Sequence, residues 1–163
     1  ISGAGLIELQ EKGKIGNAAV GNSDILVIET DESDGTIVKY SPDVVVINNL
    51  EPDHLDFYKN GMKSILETFN KFVSNLKPTS LIIANIDNEG VQELVKDKNV
   101  VTYGLNQADY VAKNIEYTPD YTCFDIYYKN EFLTDMKIYM RVNFLPLFYL
   151  NSLNYVIKQV LIL

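Results

Sequence analysis

The chain has 163 residues, of which 47% are hydrophobic, and its formal net charge is -8. This length allows one domain with a core, and the composition is that of a folded protein. The acidic balance argues against a nucleic-acid partner, because phosphate backbones are bound by clustered lysine and arginine. Cys123 is the sole cysteine, which excludes a disulfide framework and a thiolate zinc cluster. The sequence shows no signal peptide, and we expect a cytoplasmic location.

Two apolar runs in the first third of the sequence predict buried strands. Residues 24–28 (DILVI) and 43–47 (DVVVI) have no polar face, which suits strands covered by helices on both sides. The acidic motif, residues 29–35 (ETDESDG), follows the first run. The histidine motif, residues 49–56 (NLEPDHLD), follows the second run after one further asparagine.

These two motifs contain the candidate site residues. Glu29 opens the acidic motif, and His54, the only histidine of the chain, lies in the histidine motif. Parallel strands joined by right-handed crossovers end at the same edge of a sheet, so we predict that Glu29 and His54 approach each other there. The spacing leaves a structural interpretation open, in which Asp34 caps the short segment 36–40 and Asp53 caps a helix beside an incidental His54.

Strand and helix patterns then alternate along the chain. Residues 61–76 have apolar side chains at helical spacing, Pro78 marks the end of that helix, and residues 80–84 predict a buried strand. A second helix is predicted over 88–98 and another strand over 99–104. This alternation is typical of an α/β protein with a mostly parallel, doubly wound sheet and helices on both faces.

The pattern changes after residue 104. Residues 110–118, 121–129 and 132–139 are rich in Tyr, Ile, Val and Thr and are separated by turn residues, which predicts a small antiparallel three-stranded sheet. The last segment, 143–163, is apolar but is interrupted by polar residues, which favours a helix over a membrane span. We expect its exposed apolar stripe either to mediate self-association or to be poorly ordered.

The acidic motif, the tripeptide Ser-Pro-Asp at 41–43 and the histidine motif together resemble the central domain of the Mur ligases. The motifs occur in the family's order, each after a predicted strand, and the resemblance runs from about Gly3 to Met140. It implies a partial Mur ligase central domain over 1–140, with a parallel core over 1–104, an antiparallel flap over 105–140, and a divergent apolar segment over 141–163.

The resemblance implies an ATP-dependent amide-bond ligase of peptidoglycan synthesis. In that family ATP phosphorylates the carboxylate of UDP-N-acetylmuramate, the amino group of L-alanine attacks the acyl phosphate, and phosphate leaves. Matched by motif, Glu29 and His54 occupy catalytic positions that bind magnesium, and Asn49 matches a neighbouring asparagine that is a candidate for cofactor binding. The implied cofactors are ATP and Mg²⁺.

The sequence also departs from the family pattern. Ile1 is not an initiator methionine, so we expect a piece of a longer protein, with the family's glycine-rich phosphate loop upstream of it. The sequence from Arg141 onward does not follow the family's Gly-x-His-Asn-x-x-Asn helix, and the family's carbamylated lysine falls at Thr68 or Phe69. We therefore predict that this chain alone is an inactive fragment. The alternative is a non-catalytic, flavodoxin-like module for nucleotide binding or protein interaction.

Overall fold

A computed structural model describes residues 18, 20–30 and 32–139 of the chain. Its α-helices are Met62–Ser74 (α1) and Glu89–Val95 (α2), and a 3-10 helix covers Thr36–Lys39. The predicted helices and strands between residues 43 and 139 are confirmed, with small differences at their ends. The strands are Val44–Ile47 (β1), Leu81–Asn85 (β2), Val101–Gly104 (β3), Tyr110–Tyr117 (β4), Tyr121–Tyr128 (β5) and Glu131–Tyr139 (β6).

All six strands form one sheet, in which the spatial order is the chain order. β1, β2 and β3 are parallel, β4 is parallel to β3, and β4, β5 and β6 form an antiparallel meander. The antiparallel meander is confirmed, but the prediction that it forms a separate small sheet is wrong. The short connection over 105–109 brings β4 directly beside β3, so the antiparallel strands extend the parallel sheet.

Both α-helices pack on one face of the sheet. The core of that face joins Ile47 and Ala84 of the strands to Ile65 of α1 and Leu94 of α2. Right-handed crossovers that move in one direction along a sheet place their helices on the same side. Among the described residues, the hydrophobic cluster of the opposite face contains strand and loop residues only. Helices on both faces, and with them the doubly wound arrangement, therefore stay a prediction.

The helix α1 follows its predicted pattern closely. Its apolar side chains recur at helical spacing, and Ile65, Phe69, Phe72 and Val73 are buried against the sheet. Burial of each such side chain contributes about 1.5–3 kcal/mol, which is enough to hold the helix in place. Neither α1 nor α2 has the length and hydrophobicity that a membrane crossing requires, and this holds for every helix of the described residues.

The predicted strand at residues 24–28 is wrong. This segment belongs to no strand of the sheet, and Ile25 and Leu26 are 78% and 71% exposed. Apolar composition indicates that a segment gains stability by burial, whereas a strand also needs a neighbouring backbone for its amides and carbonyls. In the described part of the chain β1 is the last strand on this side of the sheet, and its Val44 is 53% exposed.

Candidate functional site

The acidic motif contacts the two residues that directly follow the histidine motif, Phe57 and Tyr58. The hydroxyl of Tyr58, just after the histidine motif, donates a 2.7 Å hydrogen bond to the carbonyl oxygen of Glu32. The ring of Phe57 lies against Gly35, where an added Cβ would come within 3.2 Å of a ring carbon. The contact with the acidic motif is therefore made by the turn at Phe57 and Tyr58. The predicted approach of Glu29 to His54 stays a prediction.

His54 lies in a turn that is fixed by backbone hydrogen bonds and has an uncommon backbone conformation. Its φ is 51°, in the left-handed region, which costs a residue other than glycine of order 1–3 kcal/mol. The His54 amide donates to Asp53 Oδ1 at 2.7 Å, and the His54 carbonyl accepts from the amides of Phe57 and Tyr58, each at 2.9 Å. The helix that Asp53 was expected to cap is absent, because the chain turns here and α1 begins at Met62. These bonds leave the imidazole half-exposed.

Asp34 has the structural role that its position predicts. Its Oδ1 accepts a 2.9 Å hydrogen bond from the Thr36 amide at the start of the 3-10 helix. Hydrogen bonds from Thr36, first from its side chain and then from its amide, hold the pKa of the Asp34 carboxyl below its usual value. Gly35 makes the turn possible with a φ of 67°. The N-cap residue of the 3-10 helix is Gly35, and the Asp34 carboxylate holds the first helical amide from one position before it.

A groove of about 420 Å³ lies between the end of the acidic motif, the turn that contains Phe57 and Tyr58, and α1. Asp34 contributes from the acidic motif, Tyr58 from the turn after the histidine motif, and Thr68 and Lys71 from α1. The groove is open to solvent, and its walls combine apolar side chains, such as Val38 and Phe57, with charged ones. Thr68 lines the groove, whereas Phe69, the other position considered for the family's carbamylated lysine, is buried in the core.

A row of polar side chains ties together the carboxyl ends of the three parallel strands β1, β2 and β3. The Tyr103 hydroxyl at the end of β3 donates to Asn48 Oδ1, just after β1, at 2.6 Å. Asn85 of β2 is paired with Tyr103 and is fully buried, and its Oδ1 accepts from the Asp87 amide at 3.1 Å. Burial, with the charge of Asp87 as a lesser cause, raises the pKa of Tyr103, so its hydroxyl remains a donor.

The residues after β2 extend this network in two directions. Asp87 Oδ2 accepts from the Leu105 amide at 2.6 Å and thereby fixes the loop after β3. Asn88 Oδ1 accepts from the Val91 amide at 3.0 Å, as the cap of α2, and from the Leu50 amide at 3.2 Å. Sequence reasoning missed this network. The available signal was the tetrapeptide Asn-Ile-Asp-Asn directly after a buried strand, at the edge where ligands bind in such sheets.

Asn49 lies between the two residues that this network holds. Asn48 is bound by Tyr103 and Leu50 by Asn88, while Asn49 itself is exposed. The structure therefore places Asn49 at the carboxyl edge of the parallel strands. Among the described residues, no three His, Cys, Asp or Glu side chains converge to form a metal site. A metal at Glu29 and His54 would thus need further ligands from outside this set.

The model of the Mur ligase middle domain matches residues 8–148, a range that includes both motifs and the whole described sheet. The chain belongs to this family. It is 40% identical to the UDP-N-acetylmuramate–L-alanine ligase of Dictyoglomus turgidum, over 80% of this chain and 28% of that protein. The corresponding ligase of a Hydrogenobaculum species is 36% identical, over 75% of this chain and 27% of that protein. The chain thus spans little more than a quarter of the length of these relatives.

Solved structures of Mur ligases share the fold. The UDP-N-acetylmuramate–alanine ligase of Thermotoga maritima superposes with a TM-score of 0.59 at 22% identity, over 76% of this chain and 26% of that protein. The MurF ligase of the same organism, crystallised in complex with ADP, has a TM-score of 0.51 at 21% identity, over 63% of this chain and 24% of that protein. The mixed sheet described above is therefore an arrangement that Mur ligases share.

Proposed function

We propose that the protein to which this chain belongs is an ATP-dependent ligase that joins L-alanine to UDP-N-acetylmuramate in peptidoglycan synthesis. The observation that carries the proposal is the 40% identity to a ligase of that name over 80% of this chain. The hydrogen bond from Tyr58 to Glu32 supports it, because it holds the acidic motif against the turn that directly follows the histidine motif. A cytoplasmic location is part of the same proposal.

In the proposed reaction a carboxylate oxygen of UDP-N-acetylmuramate takes the γ-phosphoryl group of ATP, and ADP leaves. The uncharged amino group of L-alanine then attacks the carbonyl carbon, the bond to phosphate breaks, and an amide forms. Such phosphoryl transfer depends mainly on positioning and on neutralising charge. We assign these tasks to Glu29 and His54 as catalytic, metal-binding residues and to Asn49 as a nucleotide contact. The ADP complex of the MurF ligase supports nucleotide use by this fold.

Magnesium fits these residues as a partly hydrated ion. Mg²⁺ usually keeps several waters and is held by one or two carboxylates together with substrate phosphates. Glu29 supplies one carboxylate, and the described residues contain no cluster of three ligands that would form an all-protein cage. When bound, the ion would neutralise phosphate charge. His54 would add an imidazole from a turn whose backbone is fixed by three hydrogen bonds.

The proposal is tested with the full-length protein. With ATP, Mg²⁺, UDP-N-acetylmuramate and L-alanine, we expect phosphate release that depends on both substrates, and a product with the mass of the alanyl amide. The His54→Ala and Glu29→Gln variants are expected to lose about 100-fold or more in rate, since each removes an interaction with transferring phosphate. Glu116→Gln, which changes an exposed carboxylate on β4, serves as the control.

Two outcomes would contradict the ligase assignment, and a third would contradict only the roles proposed for His54 and Glu29. Phosphate release that ignores L-alanine would exclude the amide ligase. Nucleotide binding without turnover would favour the non-catalytic module instead. Full activity of both His54→Ala and Glu29→Gln would remove their proposed roles while leaving the ligase assignment in place. The 163-residue chain by itself is expected to release no phosphate.

A further inference from the structure

We propose that Tyr103 and Asn88 are positioning residues that hold the two neighbours of Asn49, Tyr103 through the Asn48 side chain and Asn88 through the Leu50 amide. The inference rests on the proposed function, in which Asn49 contacts the nucleotide. Neither residue belongs to the two motifs that identify the family in this sequence. Both lie at the carboxyl ends of strands that follow the histidine motif by more than thirty positions in the sequence.

The first anchor, by which we mean the hydrogen bond from Tyr103 to Asn48, crosses one strand of the sheet. β2 lies between β1 and β3, so Tyr103 and Asn48 are on strands that do not pair with each other. The Tyr103 side chain spans the width of β2, above its partner Asn85, and ends 2.6 Å from Asn48 Oδ1. Tyr103 is only 2% exposed and Asn48 is half-buried, so water competes weakly for this bond. The Asn48 side chain is thereby held in one place.

The second anchor is the hydrogen bond from the Leu50 amide to Asn88, two residues after Asn48. Asn88 Oδ1 accepts from the Leu50 amide, and it also caps α2 through Val91, so the acceptor is itself fixed by a helix. Gly90 allows α2 to come close at this point, because an added Cβ would lie 2.7 Å from the Leu50 carbonyl oxygen. The Leu50 side chain is buried beside it. Leu50 is therefore held by a hydrogen bond and by packing.

Together the two anchors determine how Asn49 is presented. Residues 48 and 50 flank residue 49, so fixing both of them restricts the positions that residue 49 can take between them. Asn49 has no need of a contact of its own to be oriented, and it remains exposed to a ligand. Outer-shell partners of this kind typically change affinity or activity by 10–100-fold when they are removed.

The test compares variants of the full-length protein in the phosphate-release assay. Tyr103→Phe is expected to lower kcat roughly tenfold, with the KM for L-alanine unchanged, since only the orientation of Asn49 is loosened. Tyr110→Phe removes a hydroxyl from the next strand and is expected to behave as the parent. The double variant Tyr103→Phe/Asn48→Ala is expected to be no slower than Asn48→Ala alone, because both changes remove one interaction.

Asn88 offers an independent comparison. Asn88→Asp keeps an oxygen acceptor for both amides and is expected to retain activity, whereas Asn88→Ala is expected to lose about tenfold. Hydrogen exchange on the 163-residue chain separates positioning from a general structural role. In Asn88→Ala we expect the Leu50 amide to exchange at least about tenfold faster, while amides in the middle of α1 keep their protection.

Each result decides for or against the inference. Unchanged kcat in Tyr103→Phe and Asn88→Ala, or an equal loss of protection throughout α1, would overturn it. Additive losses in the double variant would show that Tyr103 does not act through Asn48, which also overturns it. Absence of phosphate release by the parent protein would instead overturn the proposed function. In that case the exchange data would still show whether the anchors hold residue 50.

Discussion

Thr102 and Asp109 hold each other across the connection between β3 and β4. Asp109 Oδ2 accepts hydrogen bonds from the Thr102 amide and hydroxyl, each at 2.9 Å, and the Thr102 hydroxyl oxygen accepts from the Asp109 amide at 2.8 Å. This reciprocal arrangement closes the loop and starts β4 parallel to β3. It is the local reason why the antiparallel meander joins the parallel sheet.

The Thr102–Asp109 pair predicts a pH dependence of stability. The hydrogen bonds from Thr102, first from its amide and then from its hydroxyl, hold the pKa of Asp109 below its usual 3.8. A lowered pKa in the folded state gives stability that is present above the unfolded pKa and is lost as the pH falls through the folded pKa. We expect the free energy of unfolding to fall between about pH 5 and pH 2, and less steeply in Asp109→Asn.

Urea unfolding at several pH values within that window measures this effect. Asp120→Asn, which changes an exposed carboxylate in the turn between β4 and β5, is the control and is expected to keep the parent's pH dependence. An identical slope for Asp109→Asn and the parent would contradict the prediction. At neutral pH we expect Asp109→Asn to be about 1 kcal/mol less stable, the usual contribution of a hydrogen bond.

Gly90 is expected to tolerate no side chain. An added Cβ would lie 2.7 Å from the Leu50 carbonyl oxygen and 2.9 Å from Leu50 Cβ, so either Leu50 or α2 must move. We predict that Gly90→Ala lowers the free energy of unfolding by about 1–3 kcal/mol, the typical cost of overpacking. Gly21→Ala, where nothing lies within 4 Å, should change it by less than about 0.5 kcal/mol. Equal stabilities in a urea titration would argue against this packing.

The His54 turn predicts that glycine and alanine variants differ in stability but not in activity. A φ of 51° is strained for alanine but not for glycine. We therefore expect His54→Gly to be more stable than His54→Ala by about 1 kcal/mol. Both variants lack the imidazole and are expected to be equally inactive in the full-length ligase assay. Thermal unfolding together with phosphate release measures both quantities. A more stable alanine variant would show that the turn relaxes to a negative φ.

Residues 143–163 lie outside the described residues, and their predicted role in self-association stays a prediction. Burial of several apolar side chains between copies would contribute about 1.5–3 kcal/mol for each. Truncation after residue 142 is therefore expected to lower the mass measured by light scattering and to leave the circular dichroism of the core unchanged. A parent chain that is already monomeric, with a truncated chain that unfolds, would contradict the prediction.

Local sequence patterns were sufficient to predict most elements and the positions of both motifs. The apolar spacing of α1, the alternating composition of β4, β5 and β6, and the hydrogen bond from the Thr36 amide to Asp34 each depend on residues within a few positions of one another. Such features are encoded by burial on one face and by short-range hydrogen bonds. The motifs likewise indicated the family before any contact between them was known.

Contacts between distant residues were decided by the tertiary structure alone. The bond between Tyr103 and Asn48 joins residues 55 positions apart, and no periodicity in either segment indicates it. Residues 24–28 have the composition of a buried strand, but the structure assigns no strand there, and Ile25 and Leu26 are exposed. The continuation of the parallel sheet into the meander also depends on tertiary contacts, because the Thr102–Asp109 hydrogen bonds bring β4 beside β3.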